Sequence, residues 1–336
     1  MGKLGMLAER VRKMSFDRLR QNVNVVHLES SKSRAGIFLD MCWCAARYGV
    51  GYLDYNVFGF AYVRGKKLRR TYMTMNHNMR LVRAVNDPAG IAEVRNKITF
   101  NERYSDLLGR DWIDLSRCSA EEFSAFLEGK GAVFAKPTDE RGGNGVERIS
   151  LPAPEGSGAL LERLRESGQI LVEEAIVQHP EMSRLSPSSV NTLRVTSLLD
   201  GEQTHIFYCL VRMGDGTRHN DNISCGGMYC PVDDDGRISA PAFCDKTGLC
   251  YEEHPATHVR LPGFSIPYYA EAMDLIRRAA PRSPLVRYIG WDIAVTPAGP
   301  VLVEGNTVPS YDMCQNYRHL GKGGGILPKF QAAVNL

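Results

Sequence analysis

The residues of this chain best equipped for chemistry lie in Ile289–Asn306, which reads IGWDIAVTPAGPVLVEGN. Two apolar β-type runs flank the turn Pro297–Gly299 and carry Asp292, Glu304 and Asn306. A hairpin folded at that turn sets Asp292 and Glu304 side by side. Asn306, two residues beyond Glu304, points to the same strand face. Two carboxylates and an amide oxygen on one face form a hard-oxygen set suited to Mg²⁺ carrying nucleotide phosphates. The bland alternative is a surface hairpin with solvated acids. Against it, both acids are embedded in apolar runs, where a charge is costly unless paired or metal-bound.

Three further segments offer groups for the same chemistry. In Val133–Val146 (VFAKPTDERGGNGV) a strand delivers Lys136 ahead of Gly142, Gly143 and Gly145. Such a loop lets backbone N–H groups approach phosphate oxygens unhindered by Cβ, although ordinary turns use glycine too. The Lys precedes the glycines, so the spacing is not that of GxxxxGK[ST]. In Ile170–Glu181 (ILVEEAIVQHPE) an apolar strand ends in Glu173 and Glu174 and runs on to Glu181. These acids are either solvated, or part of a strand end that pairs with an adenine edge and accepts ribose hydroxyls. Asn191–Arg194 (NTLR) opens a strand with Arg194 and Thr192 on one face, and an Arg there requires a carboxylate or phosphate partner. Arg212, in LVRMG, is expected on a neighbouring strand. His219, Asp221 and Asn222, in TRHNDN, sit in a polar loop that serves either substrate binding or turn chemistry alone. With Lys246 and His254 they make the stretch Asp215–Gly263 the acceptor-facing region, though its composition selects no ligand.

Positioning these groups takes strands with helices packed on them. Residues 1–95 read as a mostly helical lobe. Ser33–Arg47 has apolar residues on one helical face and ends at the Gly49–Gly51 pair, and Asp87–Pro88 starts another helix. From Lys97 the character changes. Strand-like runs (Ala132–Ala135, Ile170–Glu173, Thr192–Leu199, His205–Arg212) alternate with helical patterns at Ala120–Leu127 and Ala159–Glu166. After about Pro187 come further strands, a turn-rich insert (Asp215–Gly263), a helix at Tyr268–Ala280 and the opening hairpin. Strands with helices on one side indicate an α+β architecture rather than a doubly wound sheet. No glycine-rich dinucleotide fingerprint follows a strand.

The 336 residues, 43% hydrophobic and 24% charged, have ordinary globular composition, and the formal charge of +3 points to neither nucleic acid nor an anionic membrane. The cluster Lys66, Lys67, Arg69 and Arg70 after Gly65 reads as a solvated hairpin turn. No run approaches the roughly 20 apolar residues needed to cross a bilayer. Charges at Glu9, Arg10, Arg12 and Lys13 interrupt any signal-peptide core. Leu4, Leu7, Val11, Met14 and Arg18 fall at helical spacing, with Lys and Arg around them, which reads as a helix packed on the body. A basic helix in peripheral membrane contact is the alternative. Nine scattered Cys fit a reducing cytoplasm. The grouping Cys244, Cys250, His254 and His258 has too wide a first gap for a usual zinc site.

Taken in chain order, these segments resemble the ATP-grasp enzymes over roughly Asn96 to Asn306. The resemblance implies two α+β lobes gripping ATP, a small lid lobe (96–186) and a large lobe (187–336), after a mostly helical N-terminal lobe (1–95). It implies ATP contacts from Lys97, from Lys136 on the strand before Gly142, Gly143 and Gly145, and from an adenine hinge at Glu173, Glu174 and Ile176. It further implies Glu181 at the ribose, Arg194 on phosphate with Lys136 as its catalytic companion, and Mg²⁺ on Asp292, Glu304 and Asn306. NTLR, DN followed by GG, the run His254–Pro267 and the terminal hairpin look like the sugar-transfer-associated subgroup. The activity so implied passes the γ-phosphoryl of ATP to a carboxylate, and an amine then attacks the acyl phosphate to give an amide, ADP and phosphate. Its substrates would be of amino-acid, peptide or sugar-acid type, in polysaccharide, glycoconjugate or peptide-metabolite biosynthesis. A phosphotransferase that stops after the first step is the nearest alternative. A non-catalytic nucleotide-binding protein is another, and it would be expected to lose metal ligands.

Overall fold

The computed structural model describes residues 15–138, 145–216, 223, 226–321 and 323–333. The apolar spacing from Leu4 to Met14 therefore lies outside the described residues. The chain divides into two compact units, Met1–Arg80 with Ser310–Leu336, and Leu81–Pro309.

The second unit holds two antiparallel sheets. In the smaller, β1 (Trp112–Asp114), β2 (Ala132–Lys136), β3 (Glu147–Ser150) and β4 (Leu171–Glu174) pair in the order β1-β4-β2-β3. Strand alternation sends Val133, Ala135 and Val172 to one face. There they bury against Phe123, Leu160 and Leu164 of helices Ala120–Leu127 and Ser157–Glu166. Lys136 and Glu173 take the other face.

In the larger sheet, β5 (Thr192–Asp200), β6 (Gln203–Met213), β7 (Met228–Val232), β8 (Ala242–Cys244), β9 (Leu249–Tyr251), β10 (Tyr288–Thr296) and β11 (Gly299–Asn306) pair as β11-β10-β5-β6-β7-β8-β9. Leu193, Val195, Ile289, Trp291, Ile293 and Val295 share one core with Ala272, Leu275 and Ile276 of helix Tyr269–Ala279. The even-numbered positions of β5 and β10, Arg194 and Asp292 among them, face the other way. The architecture is α+β. The stretch read as a turn-rich insert supplies β7, β8 and β9. Its apolar runs are short and broken by glycine, but they gain ladder partners outward from β6.

Residues 81–95, read as part of the N-terminal lobe, cluster with these sheets instead. The Asn86 side chain splices them in, donating to the Tyr288 and Thr307 carbonyls (2.8 and 3.1 Å) and accepting from the Tyr288 N–H (2.8 Å).

The first unit is built on helices Phe16–Glu29, Arg34–Tyr48 and Tyr52–Val57 around an aromatic core that includes Tyr55, Phe58, Phe60 and Tyr72. Ser33 caps the second helix through the Gly36 N–H, and Gly49 ends it at φ 73°. The C-terminal residues, read with the large lobe, join this unit. Tyr311 donates to Asp54 (3.0 Å), and the Gln315 amide pairs with both the N–H and carbonyl of Met73 (2.7 and 3.0 Å). The basic cluster read as a solvated hairpin is the short helix Lys66–Arg69. Its Arg69 is drawn inward by two bonds to Asp40, at 3.1 and 3.0 Å. Among the described residues no helix is long and apolar enough to cross a membrane.

Candidate nucleotide and metal site

β10 and β11 pair from Thr296↔Gly299, leaving Pro297 and Ala298 as a two-residue turn. A regular ladder from that turn would face Asp292 with Val303 and send Glu304 to the opposite side of the sheet. The register instead shifts. Ile293 pairs with Leu302 and Asp292 with Glu304, so Val303 is the extra residue of a bulge. That one residue puts the two carboxylates directly opposite each other. Asn306 sits across from Gly290 and donates to Glu304 at 3.3 Å.

The row continues onto β5, where Arg194 is the direct partner of Asp292. Arg194 grips both carboxylate oxygens, through Nε and through Nη2 at 2.9 Å. Arg212, across from Thr192 on β6, donates to Thr192 Oγ1 (2.8 Å) and to Asp292 Oδ2 (2.9 Å). The anionic partner that the sequence demanded for Arg194 is thus a protein carboxylate. Burial opposes the charge on Asp292, but Arg194 and Arg212 outweigh it and hold the acid at about 2. Glu304 behaves oppositely. Crowding by the surrounding protein and the facing Asp292 charge push its carboxyl above the ordinary range, against the weaker pull of the two guanidinium groups, although the residue stays open to solvent at its outer side.

These residues fit a hard divalent cation. Two carboxylates and an amide oxygen converge on one face, a hard-oxygen donor set. The like charges of Asp292 and Glu304 repel across the hairpin, a stress that a cation relieves.

A cleft of about 120 Å³ opens here, and Glu304, Asn306, Lys97, Asn101, Lys136 and Glu173 line it. It joins the metal candidates to the small sheet. Lys136, at the end of β2, is ion-paired with Glu173 on β4. Glu173 is buried and also accepts from Arg110 (2.8 Å) and Asn101 (2.7 Å). Burial would raise its pKa, but Arg110 and Lys136 together hold it well below the ordinary carboxylate range. Lys97 opens helix Lys97–Arg103, capped by Asn96, and its Nζ donates to the Pro137 carbonyl at 3.1 Å.

Arg110 and Asn101 escaped the sequence reading. Arg110 does two jobs. It holds Glu173, and it donates to the Leu302 and Val303 carbonyls (2.6 and 3.3 Å), which flank and form the bulge.

The remaining candidates disperse. Gly145 adopts φ 67° beside Pro137, a conformation that favours glycine, while Gly142 and Gly143 lie outside the described residues. Glu174 accepts from the Asp111 N–H at 3.3 Å, and Ile176 is half-buried past the end of β4. Glu181 is exposed on helix Pro180–Leu185 and paired with Arg184 at 2.6 Å. Lys246 is exposed in the turn between β8 and β9. His254 is fully buried, with Nε2 bonded to the Gly214 carbonyl at 2.8 Å and Nδ1 near the Ala256 and Thr257 N–H groups. Its ring organises a loop. His219, Asp221 and Asn222 lie outside the described residues. Among the described residues no three His, Cys, Asp or Glu side chains group as a metal site, Cys244–His258 included.

Residues 159–331, just over half of the chain, match the family described as sugar-transfer associated ATP-grasp. No curated protein matches the sequence. Similar solved structures include D-alanyl-alanine synthetase A from Vibrio cholerae, at 15% identity, 74% of this chain and 67% of that one, with a TM-score of 0.42. The ATP-grasp ligase PsnB complexed with minimal precursor is similar at 16% identity, 77% and 64% coverage, and a TM-score of 0.42. VanG D-Ala:D-Ser ligase from Enterococcus faecalis is similar at 14% identity, 74% and 63% coverage, and a TM-score of 0.46. This chain spans about two thirds or less of each.

Proposed function

This chain belongs to the sugar-transfer associated ATP-grasp family, and we propose that it is an ATP-dependent ligase joining a carboxylate to an amine through an acyl phosphate, with release of ADP and phosphate. The observation that carries this reading is the convergence on one cleft of Lys97 and Lys136 with Glu304 and Asn306, backed by the row Glu304, Asp292 and Arg194. Phosphoryl transfer asks the protein for alignment and charge neutralisation rather than a nucleophile. Lys97, Lys136 and Arg194 supply the positive field. The strand end Glu173–Ile176 receives the adenine edge and Glu181 the ribose. Asp292, Glu304 and Asn306 hold Mg²⁺, which when bound neutralises phosphate charge.

The small sheet serves as the lid that keeps water from the acyl phosphate. The acceptor side is the region of Arg212, Lys246 and the loop His219–Asn222, and it takes amino-acid, peptide or sugar-acid carboxylates and their amine partners.

A product assay with ATP, Mg²⁺ and panels of carboxylates and amines tests this. ADP release that requires both partners is expected. AMP release would contradict the acyl phosphate, and a stable phosphorylated product without amine would make the protein a kinase. Asp292→Asn and Glu304→Gln should each lower turnover by on the order of a hundredfold or more. Lys136→Ala should weaken nucleotide binding.

A further inference from the structure

The net charge of +3 conceals a partition. Met1–Arg80 with Ser310–Leu336 holds 18 Lys and Arg against 6 Asp and Glu, and Leu81–Pro309 holds 23 against 32. The two units therefore carry +12 and −9, which together give the +3 of the whole. Such a positive excess on the smaller unit suits an anionic partner.

Helix Arg34–Tyr48 of that unit supplies the second observation. Ile37, Met41 and Cys44 form its buried side. The outward side, where a surface helix ordinarily carries charge, presents Phe38, Leu39, Cys42 and Trp43. Leu39 is 66% exposed, and Phe38 and Trp43 are each 43% exposed. Charge is confined to Arg34 and Arg47 near the helix ends and to Asp40, which Arg69 engages. That ion pair ties to this helix the helix Lys66–Arg69, whose Lys66 and Lys67 are exposed, as is the adjoining Arg70.

We propose that this face docks the protein on an anionic lipid bilayer, with Phe38, Leu39 and Trp43 entering the headgroup boundary and the basic cluster meeting lipid phosphates. Apolar and aromatic side chains rimmed by Lys and Arg are the pattern of interfacial helices. Nucleic acid would answer the charge but offers Leu39 no apolar contact. A second copy would cover the apolar face but would bring +12 against +12. The inference is independent of the ligase reading.

The test sediments the full-length protein with vesicles of phosphatidylcholine alone and of phosphatidylcholine mixed with phosphatidylglycerol. Partition into the mixed vesicles is expected, weakened by salt. Brominated acyl chains should quench the tryptophan emission, and Trp43→Phe, which leaves Trp112 and Trp291, should abolish that quenching. Leu39→Ser with Trp43→Ser should lower partition by on the order of tenfold or more. Lys66→Glu with Lys67→Glu, which spares the apolar side chains, should lower it by on the order of tenfold. No partition into mixed vesicles, or partition untouched by both double substitutions, overturns the proposal. A dimer seen by light scattering that Leu39→Ser dissociates would assign the face to a second copy and overturn it equally.

Discussion

Burial works against the charge on Glu173, yet Arg110 and Lys136 hold it ionised in the cleft. Removing its charge while keeping its shape, in Glu173→Gln, leaves the nearly buried Arg110 guanidinium and the half-buried Lys136 without their carboxylate. The expected loss is roughly 3–5 kcal/mol of unfolding free energy at neutral pH, by urea denaturation. The pH dependence follows from the depressed folded pKa. The contribution is complete above the unfolded value, about 4.3, and is lost as pH falls further towards the folded value. The gap between wild type and variant should therefore be flat through neutral pH and shrink only in acid. A gap that narrowed on the alkaline side would contradict this. Sequence showed an acid at a strand end and no more. Its partners Arg110 and Asn101 lie 63 and 72 residues away, and no local pattern links them.

At the scale of elements, the hairpin was the most legible part of the chain, because its turn residues and apolar flanks are local signals. The bulge was not. Counting from the turn, Asp292 should oppose Val303, and only the extra residue makes Glu304 its partner. A bulge leaves carbonyls outside the ladder, and the Arg110 donor that receives them arrives from a distant loop. Gly109 lets it in. Its φ is 56°, and an added Cβ would sit 2.3 Å from Val301 Cγ1. Gly129 offers a control, with φ 73° and nothing within 4 Å of an added Cβ. Gly129→Ala should cost about 1 kcal/mol for backbone strain, and Gly109→Ala roughly 1–3 kcal/mol beyond that for overpacking. Thermal unfolding of the two variants checks the difference, and equal melting points would remove Val301 from the argument.

For the whole molecule, averaging was what misled. The first eighty residues alone carry 15 basic against 5 acidic side chains, a contrast that the total of +3 erased. The return of Ser310–Leu336 to that unit was hidden for a different reason, since it depends on Gln315 matching the backbone of Met73 across 242 residues. The uneven charge should show chromatographically. Near pH 8.3, where the sequence is neutral overall, a cation exchanger should still retain the protein at low salt. Lys66→Glu with Lys67→Glu should bring elution to lower salt. Flow-through of the wild type would mean that the positive charges are too dispersed to act together.

Arg110 also has a mechanical meaning. One guanidinium is bonded at once to β4 of the small sheet and to β11 of the large one. Pulling the sheets apart would strand a buried carboxylate on one side or bulge carbonyls on the other, whereas turning one against the other about that point strands neither. Glu173, which Arg110 holds, is also the ion-pair partner of Lys136, and Val303, whose carbonyl Arg110 holds, precedes Glu304, so one side chain ties together the two walls of the cleft.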